Sequence, residues 1–316
     1  MHLQELLDLE KATPAAMDNE QRVQLATKCH DADAVPKVPD AGAVKFRPDG
    51  TRVQVMHNGL EVLADGYYGE WMTRLIELCK GHHEPQEEVI FHEVVKHLPA
   101  TAHMLELGSF WGYYTLWFLQ GHPDRKAIAL EPDPAHLLVG ETNARLNGLQ
   151  PHFLAGAVNA EPSEGKRFRT EESGEVVTRR FSVPQIMTEW KIDLLDLLHC
   201  DTQGAELAVL GSCAELFLNN RISWVFVSTH AHQISNDPLT HQRCLAFLKH
   251  VGGSIVVEHD VHESYSGDGL IVARFGTQPL DWTIPVLSRN RYSESYFRNP
   301  LYDLAQLLKR QGVESS

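Results

Sequence analysis

Between His103 and Phe275, short apolar segments alternate with longer segments whose apolar residues recur at helical spacing. The apolar segments predict strands over 103–107, 127–130, 153–158, 194–200, 222–228, 254–258 and 269–275. Helices are predicted over 111–120, 134–146, 205–219 and 238–250. This alternation predicts an α/β fold with a mostly parallel, seven-stranded sheet covered by helices on both faces. The last two strands have no helix between them and predict an antiparallel hairpin at the sheet edge.

The residues on either side of this alternation predict an extension and a tail. Residues 44–63 alternate in polarity and contain the turn dipeptides Asp49-Gly50 and Asn58-Gly59, which indicate a small β-meander. A polar helical start and a linker precede the meander. We therefore expect an N-terminal helical and β-meander extension over 1–85, a main domain over 86–275 and a C-terminal tail over 276–316. Within the main domain, the charged residues 162–182 predict an exposed hairpin or insertion.

Composition limits the partners of this chain. The net charge of −14 disfavours nucleic acid, whose phosphates an acidic surface repels. The five cysteines are widely spaced and include no CxxC pair, so we expect reduced thiols and a cytoplasmic protein. No segment reads as a signal peptide or a membrane span, and no membrane partner is expected.

The segment MLELGSFWGYYTL, from Met104 to Leu116, leads from a strand through glycine into a helix. Gly108 and Gly112 allow a tight turn and a close approach of a ligand to the backbone. The helix start offers unpaired N–H groups to an anionic group. Glu131 follows Gly108 by about twenty residues and ends the next strand, where a carboxylate is placed to bind ribose hydroxyls. Together these features predict a nucleoside site at the carboxyl ends of the strands.

The glycine loop distinguishes between two classes of nucleoside cofactor. A dinucleotide loop reads G-x-G-x-x-G, and its second glycine lets the pyrophosphate approach. This loop reads G-S-F-W-G, with bulky Phe110 and Trp111 in the middle. S-adenosylmethionine (SAM) carries an amino acid and adenosine but no phosphate, so the loop favours SAM over NAD.

The chain resembles the FkbM-type SAM-dependent methyltransferases over residues 67–275. The usual first motif of that family is acidic-x-G-A-N-x-G-x-Y-[ST], and the later ones are an E-P-x-P strand end, an N-x-x-x-N helix and a D-x-x-G-A-E segment. The matching positions here are Glu106, Gly108, Gly112, Tyr114 and Thr115, then 131–134, then Asn143 with Asn147, then 201–206. Two pairs depart from the pattern: Ser109-Phe110 replaces Ala-Asn, and His199-Cys200 stands where Lys-Ile is commoner.

The resemblance implies a Rossmann-like class I methyltransferase fold, with 86–275 as the SAM-binding domain. The loop analysis and the resemblance together predict these cofactor-binding residues: Glu106, Gly108, Ser109, Phe110, Tyr114, Thr115, Glu131, Pro132, Ala157 and Asp201. The resemblance further implies O-methylation of a hydroxyl on a small molecule, such as a sugar, a polyketide or a related metabolite.

The acceptor side of the site should lie where the fourth and fifth strands of the main domain end. Asp201 ends the fourth strand, and His230 and His232 follow the fifth. These three residues are the predicted catalytic residues, since a hydroxyl acceptor benefits from a general base. If a divalent metal is present, the same three side chains would supply a two-histidine, one-carboxylate site.

Two other functions remain open from the sequence. One is an NAD-linked oxidoreductase or epimerase, which would bind nicotinamide. The other is a non-catalytic protein that keeps the SAM fold and binds the cofactor without turnover. N-methylation also stays open, because an amine needs less help from a base, and the sequence leaves homo-oligomerisation undecided.

Overall fold

The computed structural model of the chain describes residues 17–276 and 279–297, together with the single residues 304, 308 and 312. The beginning of the predicted extension and most of the predicted tail therefore lie outside the described residues. The helices are α1 (Asn19–Ala26), α2 (Glu70–Leu78), α3 (Pro85–Lys96), α4 (Tyr113–Leu119), α5 (Pro134–Asn147), α6 (Val183–Glu189), α7 (Glu206–Ser212), α8 (Ala214–Leu218), α9 (His232–Ser235) and α10 (Thr240–His250). The strands are β1 (Val44–Phe46), β2 (Arg52–Val55), β3 (Glu61–Leu63), β4 (His103–Leu107), β5 (Lys126–Glu131), β6 (His152–Ala155), β7 (Ala157–Val158), β8 (Ser163–Arg169), β9 (Glu175–Phe181), β10 (Leu195–Cys200), β11 (Ile222–Thr229), β12 (Ser254–His259) and β13 (Gly269–Arg274).

The main sheet has seven strands in the order β12-β13-β11-β10-β4-β5-β6. Strands β11, β10, β4, β5 and β6 run parallel to one another. Strand β13 runs antiparallel to both β11 and β12. The predicted Rossmann-like α/β fold is confirmed, and the carboxyl ends of β4, β5, β10 and β11 meet at one edge of the sheet.

Two hydrophobic cores cover the two faces of this sheet, which explains why its central strands are apolar on both sides. Successive residues of a strand point to opposite faces, so Met104 packs in one core and Leu105 in the other. All six residues of β10 are buried.

The predicted β-meander forms a separate sheet of β1, β2 and β3. Its residues Met56, Leu60 and Val62 belong to the same hydrophobic core as Met104. The extension is therefore packed onto one face of the main sheet, and the division of the chain at residue 85 stays a prediction.

Two predicted elements differ from the structure. The helix predicted over 205–219 is broken near Cys213, where α7 ends and α8 begins. The strand predicted over 153–158 is interrupted at Gly156, whose N–H makes the last bond of this strand to β5, at the Glu131 carbonyl. Strand β7 then leaves the main sheet and pairs with β9, so that β7, β9 and β8 form a third sheet from the predicted 162–182 hairpin. None of the helices in the described ranges is long and apolar enough to cross a membrane.

Candidate active site

A cavity of about 240 Å³ opens at the carboxyl ends of β4, β5 and β10. We call it the first cavity. Its walls include the β4–α4 loop, the end of β5, the start of β7, part of the β8–β9 hairpin and the residues that follow β10. The residues that border it include Tyr67, Tyr68, His83, Glu84, Glu106, Gly108, Ser109, Phe110, Tyr114, Glu131, Pro132, Asp133, His136, Ala157, Thr170, Glu171, Asp201 and Gln203.

Gly108 sets the shape of the β4–α4 loop. Its φ is +76°, and a Cβ there would lie 1.7 Å from the Asp201 carbonyl oxygen. A side chain at position 108 would therefore collide with the backbone that follows β10. Because Gly108 has no Cβ, the ends of β4 and β10 can approach each other and border the same cavity.

Phe110 also adopts the left-handed region, with φ of +40°. This conformation costs a residue with a Cβ roughly 1–2 kcal/mol, and Asn tolerates it better than Phe. The Phe110 ring stacks on His136 with ring centroids 3.4 Å apart, and it meets Tyr67 edge-on. The stacking offsets part of the backbone cost where the family usually has Asn.

Glu131 connects the β4–α4 loop to the end of β5. One carboxylate oxygen accepts the Phe110 N–H at 2.9 Å, and the other accepts the Asp133 N–H at 2.8 Å. His136 Nδ1 lies 3.7 Å from Oε1. A carboxylate offers about four acceptor positions, so these contacts leave acceptor capacity on the side chain. The carboxylate is held in place by the backbone and can still accept hydrogen bonds from a bound hydroxyl pair.

Nine of the ten predicted cofactor-binding residues border the first cavity, and Thr115 does not. Thr115 lies behind the cavity wall, and its N–H donates to Glu106 at 3.0 Å. Glu106 is buried, and burial raises the pKa of its carboxyl to about 7.

The β8–β9 hairpin closes one side of the first cavity, a role that its charged sequence did not indicate. Asp133 accepts hydrogen bonds from the N–H groups of Glu172 and Ser173, at 2.9 and 3.0 Å, and from the Ser173 hydroxyl. Burial opposes ionisation of Asp133, but the bonds from Ser173 and Glu172 hold its pKa well below the usual range. Glu171 borders the cavity beside this attachment.

Two further cavity residues that the sequence analysis missed lie just before α3. His83 Nδ1 lies 2.6 Å from Glu88 Oε1, and its Nε2 lies 3.2 Å from Glu84 Oε2. Burial alone would lower the pKa of His83, but Glu84 and Glu88 together raise it to about 10. No spacing in the sequence relates residues 83–88 to the glycine loop, because the two are brought together only by the tertiary fold.

The structure brings Asp201 and His230 together. His230 Nε2 lies 3.2 Å from Asp201 and 3.8 Å from Asp268, and its Nδ1 lies 2.8 Å from Glu206. Burial alone would lower the pKa of His230, but Asp268, Asp201 and Glu206 raise it well above its ordinary value. His230 is therefore an imidazolium enclosed by three carboxyl groups.

His232 is the third predicted catalytic residue. It is buried at the start of α9 and is not among the described residues that border the first cavity or the second cavity defined below. Across the described part of the chain, the group close enough to share a metal ion is His57, His82 and Glu88, so the predicted metal set receives no support. The His57 and His82 rings stack face to face, 4.3 Å apart at 14°. The ring-nitrogen lone pairs of two stacked rings lie in parallel planes and do not converge on one ion, so we assign no metal there.

A second cavity, of about 340 Å³, adjoins the first. The two cavities share one wall, formed by Tyr67, Tyr68, His83, Glu84, Glu171, Asp201 and Gln203. Next to Asp201 the second cavity is also bordered by His230 and Asp268. Asp201 thus lies where the two cavities meet.

Comparison with known proteins identifies one family. A family model described as Methyltransferase FkbM domain matches residues 93–255, which is just over half of the chain. No curated protein matches the chain.

Several solved structures share part of the fold at low identity. A precorrin-6y C5,15-methyltransferase from Geobacter metallireducens is 11% identical, with 59% of this chain and 87% of that chain covered and a TM-score of 0.39. TrmK of M. capricolum, solved with S-adenosyl-homocysteine, is 14% identical, with coverage of 61% and 70% and a TM-score of 0.34. Cofactor-bound Rv0187 from MTB is 15% identical, with coverage of 60% and 79% and a TM-score of 0.42.

Proposed function

The chain belongs to the FkbM methyltransferase family, and we propose that it transfers the methyl group of SAM to a hydroxyl of a small molecule. One observation carries this proposal: a cavity sized for a nucleoside lies between the Gly108 turn and the carboxylate of Glu131. Such a cavity at the carboxyl ends of parallel strands is where open α/β sheets bind ligands.

In this proposal the adenosine part of SAM lies against the end of β5. The free lone pairs of Glu131 accept the two ribose hydroxyls, and charge-assisted bonds of this kind are the stronger class. The stacked pair of Phe110 and His136 offers an aromatic face to the adenine. The methyl group is then directed toward Asp201, where the two cavities meet.

The predicted catalytic residues Asp201, His230 and His232 take different roles in this proposal. Both ring nitrogens of His230 face carboxylates, so it holds Asp201 in place and does not take a proton from the acceptor. Asp201 borders both cavities and orients the acceptor. His232 borders neither cavity in the described part of the chain and receives no role in the transfer.

We propose that the transfer proceeds without a metal at Asp201, His230 and His232. These three side chains are not a group whose ligand atoms lie close enough together to share one ion in the described part of the chain. The protein's task is then to position the acceptor and remove its proton, while the bound cofactor supplies the electrophilic methyl group.

Calorimetric titration tests the proposed function against its alternatives. We expect S-adenosylhomocysteine (SAH) to bind in the presence and in the absence of EDTA, and NAD to give no heat of binding. Binding of NAD without binding of SAH would support an NAD-linked oxidoreductase or epimerase and contradict the proposal. A protein that binds SAM and SAH but never turns over would be the non-catalytic alternative.

A further inference from the structure

We propose that the second cavity binds the methyl acceptor as an uncharged, hydroxyl-bearing ring compound, and that Asp268 accepts the proton of its hydroxyl. This inference rests on the proposed function. It adds the place of the acceptor, its chemical class and the base. The starting observation is the shared wall: a donor in the first cavity and an acceptor in the second meet beside Asp201. An in-line displacement requires such an approach from opposite sides of the transferred carbon.

Much of the second cavity is built by residues outside the segment that matches the family model. Arg22 of α1, Trp71 of α2 and Tyr296 near the end of the described chain all border it. The Arg22 guanidinium lies 4.5 Å from the centre of the Trp71 ring and 4.3 Å from that of Tyr296. The extension and the residues after β13 therefore shape this cavity, whereas the first cavity is built largely by the matched segment.

The charges around the second cavity exclude an anionic acceptor. Four carboxyl groups border it: Glu84, Glu171, Asp201 and Asp268. Its three cationic groups are already engaged, because Arg22 lies between two aromatic rings and the two imidazolium groups face carboxylates. A phosphorylated or carboxylated acceptor would meet uncompensated negative charge in a half-buried space. The aromatic side chains offer flat apolar surfaces to a ring.

The same charges favour a hydroxyl over an amine. An aliphatic amine enters as an ammonium ion near neutral pH, and neighbouring carboxylates keep it protonated. An ammonium ion has no lone pair with which to attack the methyl group. A hydroxyl enters uncharged and becomes a better nucleophile when a base removes its proton.

Asp268 is the carboxyl group best placed to act as that base. It precedes β13 and borders the second cavity, and its side chain is 27% exposed. Asp201 lies closer to His230 Nε2 than Asp268 does, at 3.2 Å against 3.8 Å. The imidazolium therefore holds Asp201 more strongly and leaves Asp268 the freer of the two to take a proton.

The surroundings of Asp268 adjust its proton affinity. Burial raises the pKa of Asp268 to about 7, and the positive charge of His230 acts against this rise. Asp201 and Glu84 raise the pKa further, while Arg22 of α1 lowers it. A base with a pKa near the working pH combines a deprotonated fraction with a useful proton affinity.

The proposed step balances as follows in atoms and charge. The acceptor oxygen forms a bond to the methyl carbon, and its proton passes to a carboxylate oxygen of Asp268. The bond between that carbon and the sulfonium sulfur breaks, and its electron pair stays on sulfur. The products are a methyl ether, the neutral thioether SAH and a protonated Asp268.

A matched set of probes tests the acceptor class. Three compounds share the naphthalene ring system and carry a neutral, an anionic or a cationic substituent: 2-naphthalenemethanol, 2-naphthoate and 2-naphthylmethylamine. With SAH bound to the wild-type protein, we expect the alcohol to bind at least about tenfold more tightly than the carboxylate, a difference of about 1.4 kcal/mol. When SAM is the cofactor, we expect SAH to form in the presence of the alcohol and not in the presence of the amine. Binding of SAH without binding of the alcohol, or equal binding of the carboxylate, would overturn the inference while leaving the proposed function intact. Turnover of the amine alone would overturn both the inference and transfer to a hydroxyl.

Substitution of the base supplies a second, independent readout. We expect Asp268→Asn to lower kcat about a hundredfold or more and to abolish the rise of the rate with pH through about 7, with SAH affinity within about twofold of wild type. Asp268→Glu should restore part of the rate and the pH dependence. Asp124→Asn, at an exposed carboxylate after α4, is the matched control. An unchanged pH profile in Asp268→Asn would remove Asp268 as the base, whereas a wild-type protein that binds no SAH would contradict the proposed function itself.

Discussion

At Gly108 the chain turns so close to the end of β10 that the backbone carbonyl of Asp201 occupies the place of a side chain. We expect Gly108→Ala to lower the free energy of unfolding by several kcal/mol, because the added Cβ meets both a backbone clash and a positive φ. Thermal unfolding by circular dichroism measures the change. Gly211→Ala is the control, since a Cβ at this helical position meets nothing within 4 Å and should be neutral or stabilising. Equal stability of Gly108→Ala and wild type would contradict this close approach.

Glu131 is the residue on which the proposed ribose contact depends. We expect Glu131→Ala to weaken SAH binding at least about tenfold, or ~1.4 kcal/mol, through the loss of charge-assisted hydrogen bonds. Isothermal titration calorimetry measures the affinity. Glu161→Ala changes an exposed glutamate outside the cavity and should leave the affinity unaltered. Unaltered binding in Glu131→Ala would remove the ribose assignment.

At the residue level, many residues that border the first cavity could be predicted from their positions relative to the strands. Gly108, Glu131 and Asp201 end or follow predicted strands, so their placement at one sheet edge followed from the topology. The environment of His230 did not follow, because Glu206 and Asp268 come from different parts of the chain. Their approach depends on α7 and on the antiparallel return of β13.

Among the elements, the β8–β9 hairpin is the largely exposed hairpin that its charged sequence predicted, but it also borders the first cavity. Asp133 attaches it to the start of α5 and also caps that helix through the Ala135 N–H. We expect Asp133→Ser to keep the cap, since serine is a good N-cap residue, and to release the hairpin. Trypsin should then cleave within 163–181 several-fold faster than in wild type, while SAH binding weakens.

The matched substitution for this test is Asp133→Asn. Its one carbonyl oxygen can still accept the Ala135 N–H of the cap and the Ser173 hydroxyl of the hairpin. It should be cleaved more slowly than Asp133→Ser. If both variants are cut at the wild-type rate, the Asp133 attachment does not hold the hairpin.

The limits of prediction at this scale have identifiable causes. Strand β4 and helix α5 agree closely with the sequence pattern, because α5 has an Asp133 cap, Pro134 at its start and Gly148 at its end. The breaks at Gly156 and Cys213 were missed. Gly156 lies against the Phe181 ring, 2.5 Å from where its Cβ would be, which is a tertiary contact, and Cys213 lies inside a continuous apolar pattern. The predicted antiparallel hairpin at the sheet edge is confirmed, because β12 is the edge strand and pairs with β13, which lies between it and β11.

Across the whole molecule, buried ion pairs link stability to pH. The folded-state pKa of His83 is raised to about 10, so its pairing with Glu84 and Glu88 contributes stability fully below the unfolded value near 6.5. This contribution is lost as the pH rises through about 10. We expect the thermal midpoint to fall between pH 7 and pH 10, and to fall less steeply in His83→Asn.

The control for this pH dependence is His250→Asn, at an exposed position of α10. It should follow the wild-type curve. An equally steep fall in His83→Asn would show that other groups carry the pH dependence.

Under the proposed function, the two cavities form a cofactor side and an acceptor side. The matched family segment supplies most of the first cavity, and the extension and the residues after β13 complete the second. The sequence pattern indicated residues that border the first cavity, because strand ends and glycine turns are local signals. Of the residues that border the second cavity, the sequence indicated Asp201 and His230. The contribution of Arg22, Trp71 and Tyr296 was not predictable, since these residues are distant in sequence and meet only after folding.

The central claim is that one nucleoside lies between the Gly108 turn and Glu131. A crystal structure of the wild-type protein grown with SAH tests it most directly. We predict ribose hydroxyls within hydrogen-bond distance of both Glu131 carboxylate oxygens, and the cofactor sulfur facing the wall shared with the second cavity. A structure with SAH bound elsewhere, or with the first cavity closed by side chains, would contradict the claim.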